Sequence, residues 1–164
     1  MATLTPGFRE FLPGWIAGQP WYTGPASPAL RPAGFIRYED PAGEVGMETH
    51  LLTDGSTTYQ VPLTYRGAAL AGGGAALVAE VEHSELGPRW IYDAEADPVW
   101  IAEMLRLAGC DLTPEMASIQ LNRILTTDPP PGEASHVLGS WQPEGPDGAS
   151  VTGCLAVIRA RNVV

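Results

Sequence analysis

The sequence contains no lysine. All nine basic residues are arginine, set against 19 Asp and Glu, for a formal net charge of −10. That absence excludes three chemistries. A Walker A loop needs a Lys on its phosphates, a protein-kinase site needs one on a strand, and Schiff-base catalysis needs the amine itself. Cysteine is scarce too: Cys110 and Cys154 are too few for a disulfide framework and read as two reduced thiols of a cytoplasmic protein. No apolar run reaches the roughly 18 residues of a membrane span. Met1-Ala-Thr-Leu-Thr has no basic segment leading into an apolar one, so no secretory signal is expected. The arginines are scattered, which argues against a nucleic-acid partner. His50, His83 and His136 fall in separate predicted strands, without zinc-ligand spacing to one another or to the cysteines. No metal and no cofactor is expected.

What is present suits one domain over residues 1–164. The chain is long enough to bury a core, and 45% of it is hydrophobic. Nineteen Gly and sixteen Pro, together 35 of 164 residues, favour turns and loops over long helices. The clearest pattern surrounds Asp54-Gly55, a two-residue turn signal. After it Thr57, Tyr59, Val61, Leu63 and Tyr65 alternate with Thr58, Gln60, Pro62, Thr64 and Arg66. Before it Val45, Met47, Thr49 and Leu51 alternate with Gly46, Glu48, His50 and Leu52. Period two makes this a hairpin with one apolar face. Pro62 donates no ladder bond, so its strand is expected to be at an edge there or to carry a bulge.

Thr5-Pro6 reads as an N-cap with Pro at the first helical position. Phe8, Phe11, Leu12 and Trp15 then form an amphipathic stripe, which Pro13-Gly14 is expected to end or kink. Residues 1–24 are thus a short helix and an arm. Strands are expected within 33–93: Ala33 to Glu39, the central hairpin, Leu77 to His83 and Arg89 to Asp93. Gly72-Gly73-Gly74 lacks the Lys of a phosphate loop and reads as a connection. Asp97-Pro98 caps the best helix, over 97–109, with Trp100, Ile101, Met104, Leu105 and Ala108 on one stripe and Gly109 beyond it. Strands are expected again over 117–164: Ile119 to Leu125, His136 to Trp141 and Ser150 to Arg161. Pro129-Pro130-Pro131 is expected to be a rigid surface loop. The fold class is α+β, a curved antiparallel β-sheet packed on one main helix plus a short N-terminal helix.

Few residues suggest chemistry. Glu80, Glu82 and Glu85, and Asp93, Glu95 and Asp97, could hold a carboxylate pair for acid–base work, but alternation puts Glu80 and Glu82 on one face, the usual solvated pattern, and Asp97 has a capping role. No nucleophile elbow is present, and no catalytic residue is assigned. The stretch His83 to Asp93 gathers His83, Arg89, Trp90, Tyr92 and Asp93. It reads either as scaffold, with Arg89 paired to Asp93 and Trp90 in the core, or as an exposed recognition edge. Trp21 and Tyr22 read either as core or as an aromatic face for a sugar or a partner. These seven are the candidate binding residues.

Three segments carry a family resemblance. Leu12-Pro-Gly-Trp15-Ile-Ala-Gly-Gln19-Pro-Trp21-Tyr22 resembles the opening of the maltokinase N-terminal cap domain, a W-L-x-x-Q-R-W-F/Y segment, with Pro20 in place of the usual Arg. Tyr59-Gln-Val-Pro-Leu-Thr-Tyr-Arg66-Gly-Ala, and His83 to Asp97-Pro98, resemble stand-alone proteins of that group. The resemblance covers roughly residues 8 to 108. The remainder matches only in being β-rich and in its Gly-Cys-Leu-Ala strand. It implies a cystatin-like sheet wrapped on a helix. Some such proteins carry an α-glucan-branching label, but that chemistry needs a barrel of about 250 residues. In maltokinases the catalytic residues belong to a kinase body, and no kinase residue matches here.

The expected function is therefore that of a non-catalytic cap-like module. Its partner would be a kinase, an α-glucan-pathway protein or a second copy of the chain, and it would have no role on nucleic acid or membrane. The alternatives are a sugar-binding protein, stacking its ligand on Trp21, Trp90 or Trp100, and a small acid–base hydrolase using Glu82 and Asp93.

Overall fold

The central hairpin forms, but its register pairs Met47 with Thr64 and Leu51 with Gln60, so the apolar sets of its two strands lie on opposite faces and not on one. The structure, a computed structural model, describes residues 1–126, 134–143 and 150–161. In chain order its elements are β1 (Leu4–Thr5), α1 (Phe8–Ala17), β2 (Arg31–Tyr38), β3 (Gly46–Thr53), β4 (Thr58–Arg66), β5 (Leu77–His83), β6 (Gly87–Asp93), α2 (Pro98–Leu107), β7 (Ala117–Leu121), β8 (Ser135–Trp141) and β9 (Val151–Ala160). β3 and β4 pair from Gly46↔Tyr65 to Thr53↔Thr58. The turn spans four residues rather than two. Gly55 takes the positive φ, +99°, and Asp54 Oδ1 closes the loop by accepting from the backbone N–H of Ser56 at 2.9 Å and of Thr57 at 2.8 Å.

Six strands form one strongly curled antiparallel sheet in the order β1-β5-β6-β4-β3-β2. The apolar face of the hairpin is not its sole buried face. Val61, Leu63 and Ile91 pack with Leu12 and Ile16 of α1. Met47 and Leu51 on the opposite face pack with Trp100 and Met104 of α2 and with Leu155 and Ile158 of β9. The sheet therefore lies between α1 on one side and α2 with a second sheet, β7-β9-β8, on the other. β4 is buried along both faces from Tyr59 to Thr64. Pro62 sits where the sequence allows it. β6 pairs with β4 from Leu63 to Arg66, and the N–H of Gln60 on that same flank donates to Arg123 O at 2.7 Å. Pro62 occupies the gap between these two partners, where a missing N–H leaves no ladder bond open.

The last third differs from expectation at one point. β7 stops at Leu121, and residues 122–126 cross to the first sheet. Leu125 N donates to Thr58 O at 2.9 Å, and Cys154 N donates to Thr126 O at 3.2 Å. A chain that changes partners cannot keep period two, which is why Ile124 and Leu125 break the alternation of the expected longer strand. The two sheets also join where Phe35 and Gln142 exchange backbone hydrogen bonds, at 3.0 and 2.9 Å. The approach is close enough that a Cβ on Gly34 would lie 2.9 Å from Gln142 O. Pro129-Pro130-Pro131 lies outside the described residues.

The helices follow their caps. α1 is capped at Gly7 and not at Thr5, which is taken into β1 opposite Glu82. Glu10 reaches back to the Gly7 N–H. Pro13 neither ends nor breaks α1: the helix runs on to Ala17, and Leu12 and Ile16 are buried against the sheet. α2 starts as read. Asp97 accepts from Val99 N at 2.9 Å, Pro98 is first in the helix, and Gly109 beyond its end has φ +61°. Among the described residues no helix is long and apolar enough to cross a membrane.

Asp97 has a second partner. Its fully buried carboxylate accepts from Arg66 Nε and Nη2, both at 2.7 Å, so β4 holds the start of α2 through a two-point ion pair. Burial works to raise the Asp97 carboxyl, but the hydrogen bonds from Arg66 and Val99 and the charge of Arg66 outweigh it and hold the group below its usual range. Asp97→Ala removes both a cap and the partner of a partly buried guanidinium, and should cost about 3 kcal/mol in chemical denaturation. Arg66→Ala should cost about as much. The double variant should lose clearly less than the two combined, because each single change strands the other group.

Candidate functional site

Alternation along β6 divides the residues that the sequence grouped. Ile91 faces α1, and Arg89 and Asp93 share its face. Trp90 and Tyr92 point to the other side. Tyr92 is buried, and its hydroxyl accepts from Leu70 N at 2.8 Å. Trp90 is half-buried opposite Arg66 and donates its indole N–H to Glu80 Oε1 at 3.1 Å. His83 closes the β5–β6 turn: its Nδ1 accepts from the N–H of Glu85 and of Leu86, each at 3.1 Å. Arg89 donates to Pro88 O at 2.7 Å.

The expected Arg89–Asp93 pair does not form. Four residues of extended strand separate the two by about 13 Å, too far for an ion pair. Asp93 pairs instead with Arg123 at 2.6 Å, a residue delivered by the 122–126 crossing. Arg123 also reaches Glu95 at 3.3 Å, and its guanidinium carbon lies 4.8 Å from the ring centroid of Trp21. Trp21 sits 5.9 Å from Tyr59 and 6.0 Å from Trp15, and Tyr22 sits 5.3 Å from Tyr59. The Tyr59 hydroxyl is 3.1 Å from Thr23 Oγ1.

The candidate site is thus one cation between two carboxylates and an aromatic wall. It unites Trp21, Tyr22 and Asp93 with Arg123, Glu95 and Tyr59, and leaves His83, Arg89, Trp90 and Tyr92 elsewhere on β5 and β6. Burial pushes the Asp93 carboxyl above its usual value. The charge and hydrogen bond of Arg123 oppose that shift, and the charge of Glu95 adds to it. Asp93 Oδ1 and Arg123 Nη1 are buried without a hydrogen-bond partner. One face of Trp21 is covered by Arg123, and Trp100 is 1% exposed in the core and offers no free ring face. Among the described residues no group of three or more His, Cys, Asp and Glu could hold a metal ion. The sequence did contain one signal for Arg123: carboxylates at 93 and 95 beside a half-buried strand end need a cation.

Arg123→Ala leaves Asp93 buried without its cation and should cost about 3 kcal/mol at pH 7. The sign of its pH dependence follows from Asp93. A carboxyl raised in the folded state destabilises above its folded pKa, and that penalty fades as pH falls through it. Removing Arg123 raises the group further. The deficit of the variant against the native protein should therefore shrink as the pH is lowered from 7 toward the carboxylate range, as read from urea midpoints. A constant deficit would separate Arg123 from the ionisation of Asp93.

Compared with known proteins, the chain matches the maltokinase N-terminal cap domain over residues 15–97. No curated protein and no solved structure matches it. The matched segment runs from Trp15 in α1 to the cap residue Asp97, and takes in β2 to β6 with Trp21, Tyr22 and the whole of His83 to Asp93. The cap domain is a non-catalytic N-terminal module. With just over half of its length matched, the chain belongs to the maltokinase N-terminal cap domain family.

Proposed function

We propose that the protein is a non-catalytic cap module that acts by binding a partner protein or a second copy of itself. The observation that carries this reading is the family match across the curled sheet, the part that forms the cap. The use of the charged side chains supports it. Asp97 holds Arg66 and the start of α2, Asp93 holds Arg123, and Glu103 holds Arg106 on α2. These acids are committed to the frame, where a hydrolase would need them free to exchange protons. The β5–β6 turn supplies the proposed contact. Leu86 stands 60% exposed at its tip, beside Glu85 and the His83 that fixes the turn.

The partner proposed is a kinase or an α-glucan-pathway protein, met in the cytoplasm. Affinity capture with tagged native protein and with Leu86→Asp, alongside light scattering of the pure chain, tests it. A kinase or glucan-pathway enzyme recovered in stoichiometric amount, or a dimer in solution, is expected for the native protein and should be lost in the variant. A monomer with no partner overturns the reading. So does consumption of ATP with maltose by the pure chain.

A further inference from the structure

Seven of the nine arginines hold an oxygen of the protein. Arg37, Arg66, Arg106 and Arg123 pair with carboxylates, Arg89 and Arg161 donate to backbone carbonyls, and Arg159 donates to Gln120. Arg9 and Arg31 make no hydrogen bond and no ion pair among the described residues. In a chain of net charge −10, with 19 acidic residues, these two guanidiniums are exposed and unpaired. Both line the same cavity.

That cavity, of about 650 Å³, lies between the first turns of α1 and the strands β2 and β3. Its size is in the range of pockets that hold small organic ligands. Phe8, Leu12, Leu30 and Leu52 give it an apolar lining, with Arg9 on α1 and Arg31 at the start of β2. Two other titratable groups line it. Glu10 has its carboxylate engaged by the Gly7 N–H. Burial pushes the His50 imidazole below its usual value against the pull of Glu48, and its Nε2 is 3.2 Å from the Tyr65 hydroxyl. The cavity thus carries two unpaired guanidiniums against one carboxylate, Glu10, whose charge the Gly7 N–H does not cancel, and its apolar lining is net positive.

We propose that this cavity binds a small amphiphilic anion, its apolar body against Phe8, Leu12, Leu30 and Leu52 and its acidic head between Arg9 and Arg31. The complementarity is of two kinds. Apolar burial supplies most of the affinity, and the guanidiniums select a carboxylate or phosphate head over a neutral one. This goes beyond the cap reading and does not depend on it, since α1, β2 and β3 can hold a ligand whatever the β5–β6 turn binds.

Calorimetric titration of the full chain with decanoate, decyl phosphate and decanol tests it. Saturable one-to-one binding of decanoate or decyl phosphate is expected, and the tighter of the two identifies the head. Decanol should bind about tenfold more weakly, as should both anions to the Arg9→Gln/Arg31→Gln variant, and added salt should narrow the gap. Both arginines are exposed, so the variant should fold as the native protein does. Leu30→Trp, which fills the cavity from its half-buried wall, should abolish binding. Equal affinity for decanol, an undiminished affinity in the arginine variant, or no saturable heat with either anion overturns the proposal.

Discussion

β4 is buried on both faces, and most of the architecture follows from that constraint. A strand in that position needs two covers. α1 supplies one, through Leu12 and Ile16. The other is assembled from α2 and β9. The polar residues of β4 that point into the second cover would each destabilise the fold by about 1–3 kcal/mol if left without a partner. Gln60, fully buried, donates its amide to Asn122 O at 2.8 Å and to Leu155 O at 3.0 Å. Arg66 takes Asp97. These side chains fix where the second layer sits, because a hydrogen bond tolerates less sliding than an apolar contact does.

The hairpin and α2 were legible because each rests on local chemistry. Alternation, an Asp-Gly turn and an Asp-Pro cap act over a few residues, and the sequence displays all of them. The second cover was not legible. Period two shows which residues share a face, but it does not say that both faces are covered. Gln60 and Thr64 read as the solvated side of a half-buried strand and are in fact core. α1 shows the reverse case, in which a local signal loses. Pro13 removes one helical N–H, yet burial of Leu12 and Ile16 on the sheet keeps the helix continuous through it.

The site divided along the same line. Trp21, Tyr22 and Asp93 were named from the sequence, and the structure brings them to one locus. What joins them is Arg123, thirty residues after Asp93, carried there when the chain leaves β7 for the first sheet. No spacing rule reaches that far. His83, Arg89, Trp90, Tyr92 and Asp93 are close in sequence but parted in space, since neighbours in an extended chain face opposite ways. Nearness in sequence is a poor guide to nearness of side chains on a strand.

The crossing at residues 122–126 also bears on how separable the cap is. The family segment ends at Asp97, but in this chain its sheet is finished by what comes afterwards. Arg123 and Leu125 continue the flank of β4 that β6 leaves unpaired, and Trp100, Leu155 and Ile158 close the face that Met47 and Leu51 would otherwise show to water. The matched half is therefore a unit of descent more than a unit of folding. Excised at its own boundary, it would carry an open strand flank and a bare apolar face, the two features that drive chains to aggregate.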